Sequence, residues 1–143
     1  MSERLLFTCT QNAVRSVIAE ALFRQLPCSS DYQVSSCGVI EGAADGYAIA
    51  VMLEMGVDVS THEARSFDRL SPVDFDWIIS FSAEAHDSAV RWASEGCKTE
   101  LWAIQPPHLD ERAREVTLQS YRALRDEIAA KLEVNFGAFA QKT

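Results

Sequence analysis

A short apolar run that ends in a cysteine and leads directly into a helix constrains this chain more than any other feature. Leu5-Leu6-Phe7-Thr8 has the composition of a buried strand, and Cys9 follows it. After a short polar loop, Arg15 and Ser16 open a segment with helical spacing. Such an arrangement places a thiol where backbone N–H groups, a helix N-terminus and a guanidinium converge. The segment therefore predicts a site that binds a tetrahedral oxyanion and offers it a nucleophilic sulfur.

Strand patterns and helix patterns alternate along the whole chain. Strands are expected over residues 4–8, 32–37, 77–81 and 99–104, and helices over residues 14–25, 47–55, 83–94 and 113–132. This alternation predicts a parallel sheet with helices on both faces, and ligands of such sheets bind beyond the carboxyl ends of the strands. Cys9 lies at one of those ends. No internal repeat or linker is visible, so residues 1–143 are expected to form a single domain.

The charge of the chain limits the partners that it can take. A net charge of −8 argues against nucleic acid or an anionic membrane as a partner. An anionic ligand must therefore be held by local donors in a well-organised pocket. The chain shows no signal-peptide pattern and no long apolar run, so a cytoplasmic location is expected. The four cysteines are irregularly spaced and are expected to be reduced thiols, with no metal site and no cofactor.

Cys9 and several residues after it have expected chemical roles. A thiol attacks phosphorus or arsenic as the thiolate, a form that a helix N-terminus and a nearby cation both favour. Arg15 supplies a planar fork of donors that suits two oxygens of a phosphate-like group. Ser16 can give its hydroxyl to the sulfur or cap the helix. Asn12 is expected in the left-handed conformation, with its side chain joining the two sides of the loop.

The segment from Cys9 to Ser16, followed by Ala19-Glu20-Ala21, resembles the signature of low-molecular-weight protein tyrosine phosphatases and the related arsenate reductases. The similarity extends over nearly the whole chain, through residues 56–65, 75–80 and 121–126. The resemblance implies an α/β three-layer sandwich with a four-stranded parallel sheet. It also implies a phosphocysteine intermediate on Cys9, with Arg15 as the second catalytic residue. The phosphate-binding residues that it implies are Thr10, Gln11, Asn12, Ala13, Val14, Arg15 and Ser16.

The region after the fourth predicted strand departs from the family pattern. The family has a general acid there, an aspartate followed by proline, whereas this chain has Gln105 or Pro106 at that place. Neither side chain can donate a proton, and general acid catalysis is commonly worth about 10²- to 10⁴-fold in rate. His108 and Asp110 are the nearest titratable substitutes. Asp110 is the candidate acid, and its alternative role is to begin the last helix.

A second departure concerns thiol chemistry. Val14 stands where the family's phosphatases often carry another cysteine, and Ser80-Phe81-Ser82 lacks the resolving cysteines of thioredoxin-linked arsenate reductases. The remaining cysteines, Cys28, Cys37 and Cys97, are expected to pack as small apolar side chains. No pair of tyrosines follows Pro107 to line a phosphotyrosine slot.

Three functions are consistent with this sequence. The first is a phosphomonoester hydrolase that acts on a phosphorylated protein or a small phosphomonoester. The second is an arsenate reductase that takes its reducing thiol from outside the chain. The third is a phosphate- or phosphoprotein-binding regulator without catalysis. All three predict binding of phosphate, sulfate or arsenate, by a monomer or weak homodimer.

Overall fold

A computed structural model describes residues 3–140 of the chain. Its strands are β1 (Glu3–Cys9), β2 (Tyr32–Gly38), β3 (Trp77–Ser80) and β4 (Lys98–Leu101). Its helices are α1 (Arg15–Phe23), α2 (Gly46–Leu53), α3 (Ala83–Trp92) and α4 (Arg114–Phe136). Within residues 3–140, no helix combines the length and the apolar composition needed to cross a membrane.

The strands form one parallel sheet in the order β2-β1-β3-β4. Because β1 is central, the carboxyl ends of its two neighbours lie beside Cys9. The register pairs Cys9 with Gly38 on one side and Thr8 with Ser80 on the other. The chain segments that leave β2 and β3 therefore pass the loop after Cys9.

Side chains of β1 alternate between two apolar clusters, one on each face of the sheet. Leu5, Phe7 and Cys9 belong to the cluster formed with α1, α2 and α4. Leu6 and Ile78 belong to the cluster formed with α3. A parallel sheet covered on both faces explains why β1 is apolar at successive positions. The predicted α/β three-layer sandwich is thus confirmed.

The two largest differences from the predicted element boundaries are at the ends of β4 and α4. β4 ends at Leu101 instead of residue 104, yet the N–H of Trp102 still donates to Ser80 at 2.7 Å. α4 continues beyond residue 132 to Phe136, because that ring packs against Phe23 and Trp77 with both centroid distances at 5.1 Å. These contacts join residues that are distant in the sequence, so the local periodicity of the sequence does not indicate them.

Candidate active site

A cavity of about 360 Å³ opens at the carboxyl end of β1. Of the loop residues expected to bind the anion, Asn12 and Ser16 lie behind the cavity and are fully buried, whereas the others contribute to its wall. The complete lining is Cys9, Thr10, Gln11, Ala13, Val14, Arg15, Asp45, Pro106, Pro107, Leu109 and Tyr121.

The sulfur of Cys9 is held by one hydroxyl. Cys9 is 2% exposed, and its Sγ lies 3.0 Å from the Oγ of Ser16. The side-chain amide of Asn12 donates to that same Oγ at 2.9 Å. When Cys9 is a thiolate its sulfur has no proton to donate, so the Ser16 hydroxyl is the donor in this contact. A donor in this position stabilises a thiolate.

Asn12 organises the loop from its centre. Its φ of 53° lies in the left-handed region, as the sequence predicts. The backbone N–H of Arg65 donates to Asn12 Oδ1 at 3.1 Å, so that atom is the amide oxygen and Nδ2 faces the hydroxyls of Ser16 and Ser36. The Nε2 of His62, 3.0 Å from the same oxygen, therefore carries a proton and donates. Three separate chain segments thus fix one loop side chain.

The network behind the loop ends in a buried carboxylate. Ser36 accepts from Asn12 and donates to Glu20, which is 6% exposed. Arg24, the residue that follows α1, pairs with the Glu20 carboxylate at 2.6 Å. A buried charge needs such a partner. The sequence pattern gives no indication that Ser36, His62 and Arg65 belong to this network.

We expect His62 to make the stability of the protein depend on pH. Burial holds the pKa of His62 below its ordinary value. The unfolded chain therefore binds a proton at His62 more readily than the folded protein does, and stability falls as the pH drops below the unfolded pKa of about 6.5. In His62→Gln, an amide can still donate to Asn12 but does not titrate. The fall in Tm between about pH 7.5 and about pH 5.5 should be smaller in this variant than in the wild type, and equal falls would contradict the assignment.

Arg15 is anchored to the sheet through one end of its guanidinium. Its Nη1 donates to the carbonyl of Ile104 at 2.8 Å and to that of Phe81 at 3.2 Å. Both carbonyls belong to the segments that leave β3 and β4. Within residues 3–140, neither Nε nor Nη2 of Arg15 has a hydrogen-bond partner. Those donors are available to two oxygens of a tetrahedral anion.

The structure does not bring Asp110 to the cavity wall. The Oδ1 of Asp110 accepts from the backbone N–H of Arg112 at 2.9 Å, and its own N–H donates to Thr117 at 2.8 Å. These contacts secure the chain before α4. His108 is exposed and Gln105 is also exposed. The loop instead presents Pro106, Pro107 and Leu109 to the cavity.

Two titratable residues on the wall were not identified from the sequence. Asp45 caps α2, because its Oδ1 accepts from the N–H groups of Tyr47 and Ala48 at 2.9 and 3.0 Å. Its Oδ2 accepts from the hydroxyl of Tyr121 at 2.7 Å. Burial, and then the hydrogen bond to Asp45, raise the pKa of Tyr121 well above its ordinary value. Asp45 lies outside the helices and strands that the sequence predicts and Tyr121 lies within the predicted last helix, and neither position indicates a shared cavity.

Cys9 is the one thiol on the cavity wall within the described part of the chain. Cys37 pairs in register with Thr8 and packs in the cluster on the α3 face, opposite to Cys9. Burial raises the pKa of Cys37. Cys28 and Cys97 precede β2 and β4, at the amino end of the sheet. Cys37 therefore points away from Cys9, which disfavours a disulfide between them, and Cys28 and Cys97 lie far along the sheet from it.

Residues 4–134 match the family model described as low molecular weight phosphotyrosine protein phosphatase. The chain is also 29% identical to an arsenate reductase of Shouchella clausii, over 93% of this chain and 95% of the relative.

Solved structures of two kinds share the fold. An arsenate reductase from Archaeoglobus fulgidus is 26% identical, with a TM-score of 0.73 over 93% of this chain and 98% of the other. A low molecular weight protein tyrosine phosphatase from T. tengcongensis is 25% identical, with a TM-score of 0.65 over 92% of this chain and 100% of the other.

Proposed function

This chain belongs to the low molecular weight phosphotyrosine protein phosphatase family, and we propose that it hydrolyses phosphomonoesters through a phosphocysteine intermediate on Cys9. One observation carries the choice between the two activities of its relatives: Cys9 is the one thiol on the described cavity wall. Phosphoryl transfer needs one nucleophilic sulfur. Reduction of arsenate within one chain needs a second sulfur to complete a disulfide.

In the proposed reaction, the Cys9 sulfur attacks phosphorus and the bond from phosphorus to the ester oxygen breaks. Arg15 and the backbone of residues 10–16 hold the other phosphate oxygens. Water then attacks the phosphocysteine, and the thiolate leaves. The Ser16 hydroxyl, 3.0 Å from the sulfur, stabilises that leaving thiolate. Both half-reactions therefore use the same donor.

We expect hydrolysis to depend steeply on the leaving group, because Asp110 does not line the cavity. An activated nitrophenyl ester needs no proton on departure, whereas a phenyl ester does. The ratio of kcat/KM for p-nitrophenyl phosphate over phenyl phosphate should reach at least about 10²-fold, the usual worth of a general acid. Asp110→Asn should change neither rate by more than about twofold. A large loss confined to the phenyl ester would instead make Asp110 the acid.

A thiol-dependent arsenate reductase is the second candidate, favoured by the identity to the arsenate reductases of Shouchella clausii and Archaeoglobus fulgidus. In that reaction Cys9 binds arsenic and an external thiol attacks the Cys9 sulfur. Arsenic gains two electrons and leaves as arsenite, and a mixed disulfide forms on Cys9. A second external thiol restores Cys9. The buried Cys37 on the opposite face takes no part.

Parallel assays on the purified chain distinguish these functions. We expect phosphate release from p-nitrophenyl phosphate, and inhibition of that release by vanadate. Arsenate-dependent consumption of glutathione without ester hydrolysis would replace the proposal with the reductase. Binding of phosphate or vanadate with neither turnover would replace it with a phosphate-binding regulator.

A further inference from the structure

The carboxylate of Asp45 lies on the cavity wall without a positively charged partner. The three groups that donate hydrogen bonds to this carboxylate are neutral: the backbone N–H groups of Tyr47 and Ala48, and the hydroxyl of Tyr121. Within residues 3–140 no lysine, arginine or histidine reaches Asp45 within salt-bridge distance. Arg15, on the same wall, donates to two backbone carbonyls. The cavity therefore combines an anion-binding loop with an uncompensated negative charge.

The charge of Asp45 makes the affinity for a phosphate ester depend on the charge of the group attached to its phosphate. A unit charge about 6 Å away, at a partly exposed protein site, changes a binding constant by roughly tenfold. A negative group near Asp45 is repelled, and a positive group is attracted. The net charge of −8 acts in the same direction, because it raises the local concentration of cationic ligands and lowers that of anionic ones.

The remaining wall fits an apolar body between the phosphate and the charge. Pro106, Pro107 and Leu109 lie on the loop before α4, and each contributes to the cavity. These side chains offer apolar contact and no charge. A complementary ligand would bind residues 9–15 through its phosphate and the prolines through an apolar stem. Its cation would lie at Asp45, so that each part of the wall contacts a matching group.

We propose that Asp45 makes this site selective for phosphomonoesters whose leaving group carries a positive charge. The inference rests on the proposed hydrolase function and specifies its substrate class. Asp45 acts here as a specificity-determining residue, and the N–H groups at the start of α2 hold its carboxylate on the wall.

Binding is measured by titration calorimetry on Cys9→Ser, which cannot form the phosphocysteine. Tyramine phosphate carries an ammonium group, and N-acetyltyramine phosphate carries a neutral amide on the same stem. We expect the ammonium ester to bind about tenfold more tightly at low salt, with the preference reduced at high salt. Adding Asp45→Asn should remove the preference, since asparagine retains the helix cap without the charge. Adding Tyr121→Phe should retain the preference, because it leaves the carboxylate in place.

Hydrolysis of the same two esters by the wild type separates the two proposals. Their phenol leaving groups are closely alike, so a difference in kcat/KM reports recognition of the distant charge. Hydrolysis of both esters at equal kcat/KM, with equal binding, would overturn the inference while the hydrolase function stands. A binding preference without hydrolysis would retain the charge selectivity and overturn the hydrolase function. A preference that survives Asp45→Asn would overturn the role of Asp45, and no binding with no hydrolysis would overturn both proposals.

Discussion

Replacing Cys9 with serine is expected to abolish hydrolysis of p-nitrophenyl phosphate, with kcat lowered by at least about 10⁴-fold. The physical reason is that a serine hydroxyl at this place has no base beside it. The neighbour at hydrogen-bond distance is the Ser16 hydroxyl, which is not a base at neutral pH. Inorganic phosphate should still bind, since Arg15 and the loop amides do not depend on the sulfur.

The measurement is phosphate release together with calorimetric binding of inorganic phosphate. Cys97→Ser is the matched control, because it makes the same change at a partly buried cysteine at the other end of the sheet. We expect the control to keep wild-type activity. If Cys9→Ser retained more than about one per cent of the wild-type rate, a phosphocysteine on Cys9 could not be the intermediate.

Gly38→Ala adds a single methyl group and is expected to destabilise the protein more than the same change at Gly46. A Cβ at Gly38 would lie 2.6 Å from the backbone nitrogen of Asn12 and 2.8 Å from both the carbonyl carbon of Gln11 and the carbonyl oxygen of Ile40. These atoms are all main-chain atoms, so no side chain can rotate away. The loop must shift, and overpacking of this kind destabilises a protein by about 1–3 kcal/mol.

The shift would also disturb the anion site, because Ile40 donates its N–H to Thr10 and Gly42 donates to Gln11 at 3.0 and 2.8 Å. We therefore expect Gly38→Ala to weaken phosphate binding by at least about tenfold, in addition to lowering the free energy of unfolding in urea. Gly46→Ala is the matched control. Gly46 begins α2, and a Cβ there meets nothing within 4 Å. That change should be neutral or stabilising by up to about 1 kcal/mol. Equal stability of the two variants would contradict the steric argument.

The family and the sheet architecture could be predicted from the sequence because their signals are short-range. The strand, Cys9, the left-handed Asn12 and the start of α1 lie within one continuous segment, and the alternation of periods along the chain indicates a parallel sheet. The catalytic role of Cys9 stays a prediction that Cys9→Ser tests, and the anion-binding roles of residues 10–16 also stay predictions.

The difference between what the sequence determines and what only the tertiary structure decides is clearest at the cavity. The sequence by itself determined that a thiol, a loop and an arginine would meet at the carboxyl end of the first strand, since chain connectivity alone places them there. Only the tertiary structure brought Asp45 and Tyr121 together across 76 positions, and joined Asn12 to Arg65 across 53. It also joined the side chain of Asp110 to the N–H of Arg112, outside the cavity wall. These outcomes depend on how helices and loops pack on the sheet, and side-chain contacts between distant segments leave no periodic pattern in the sequence.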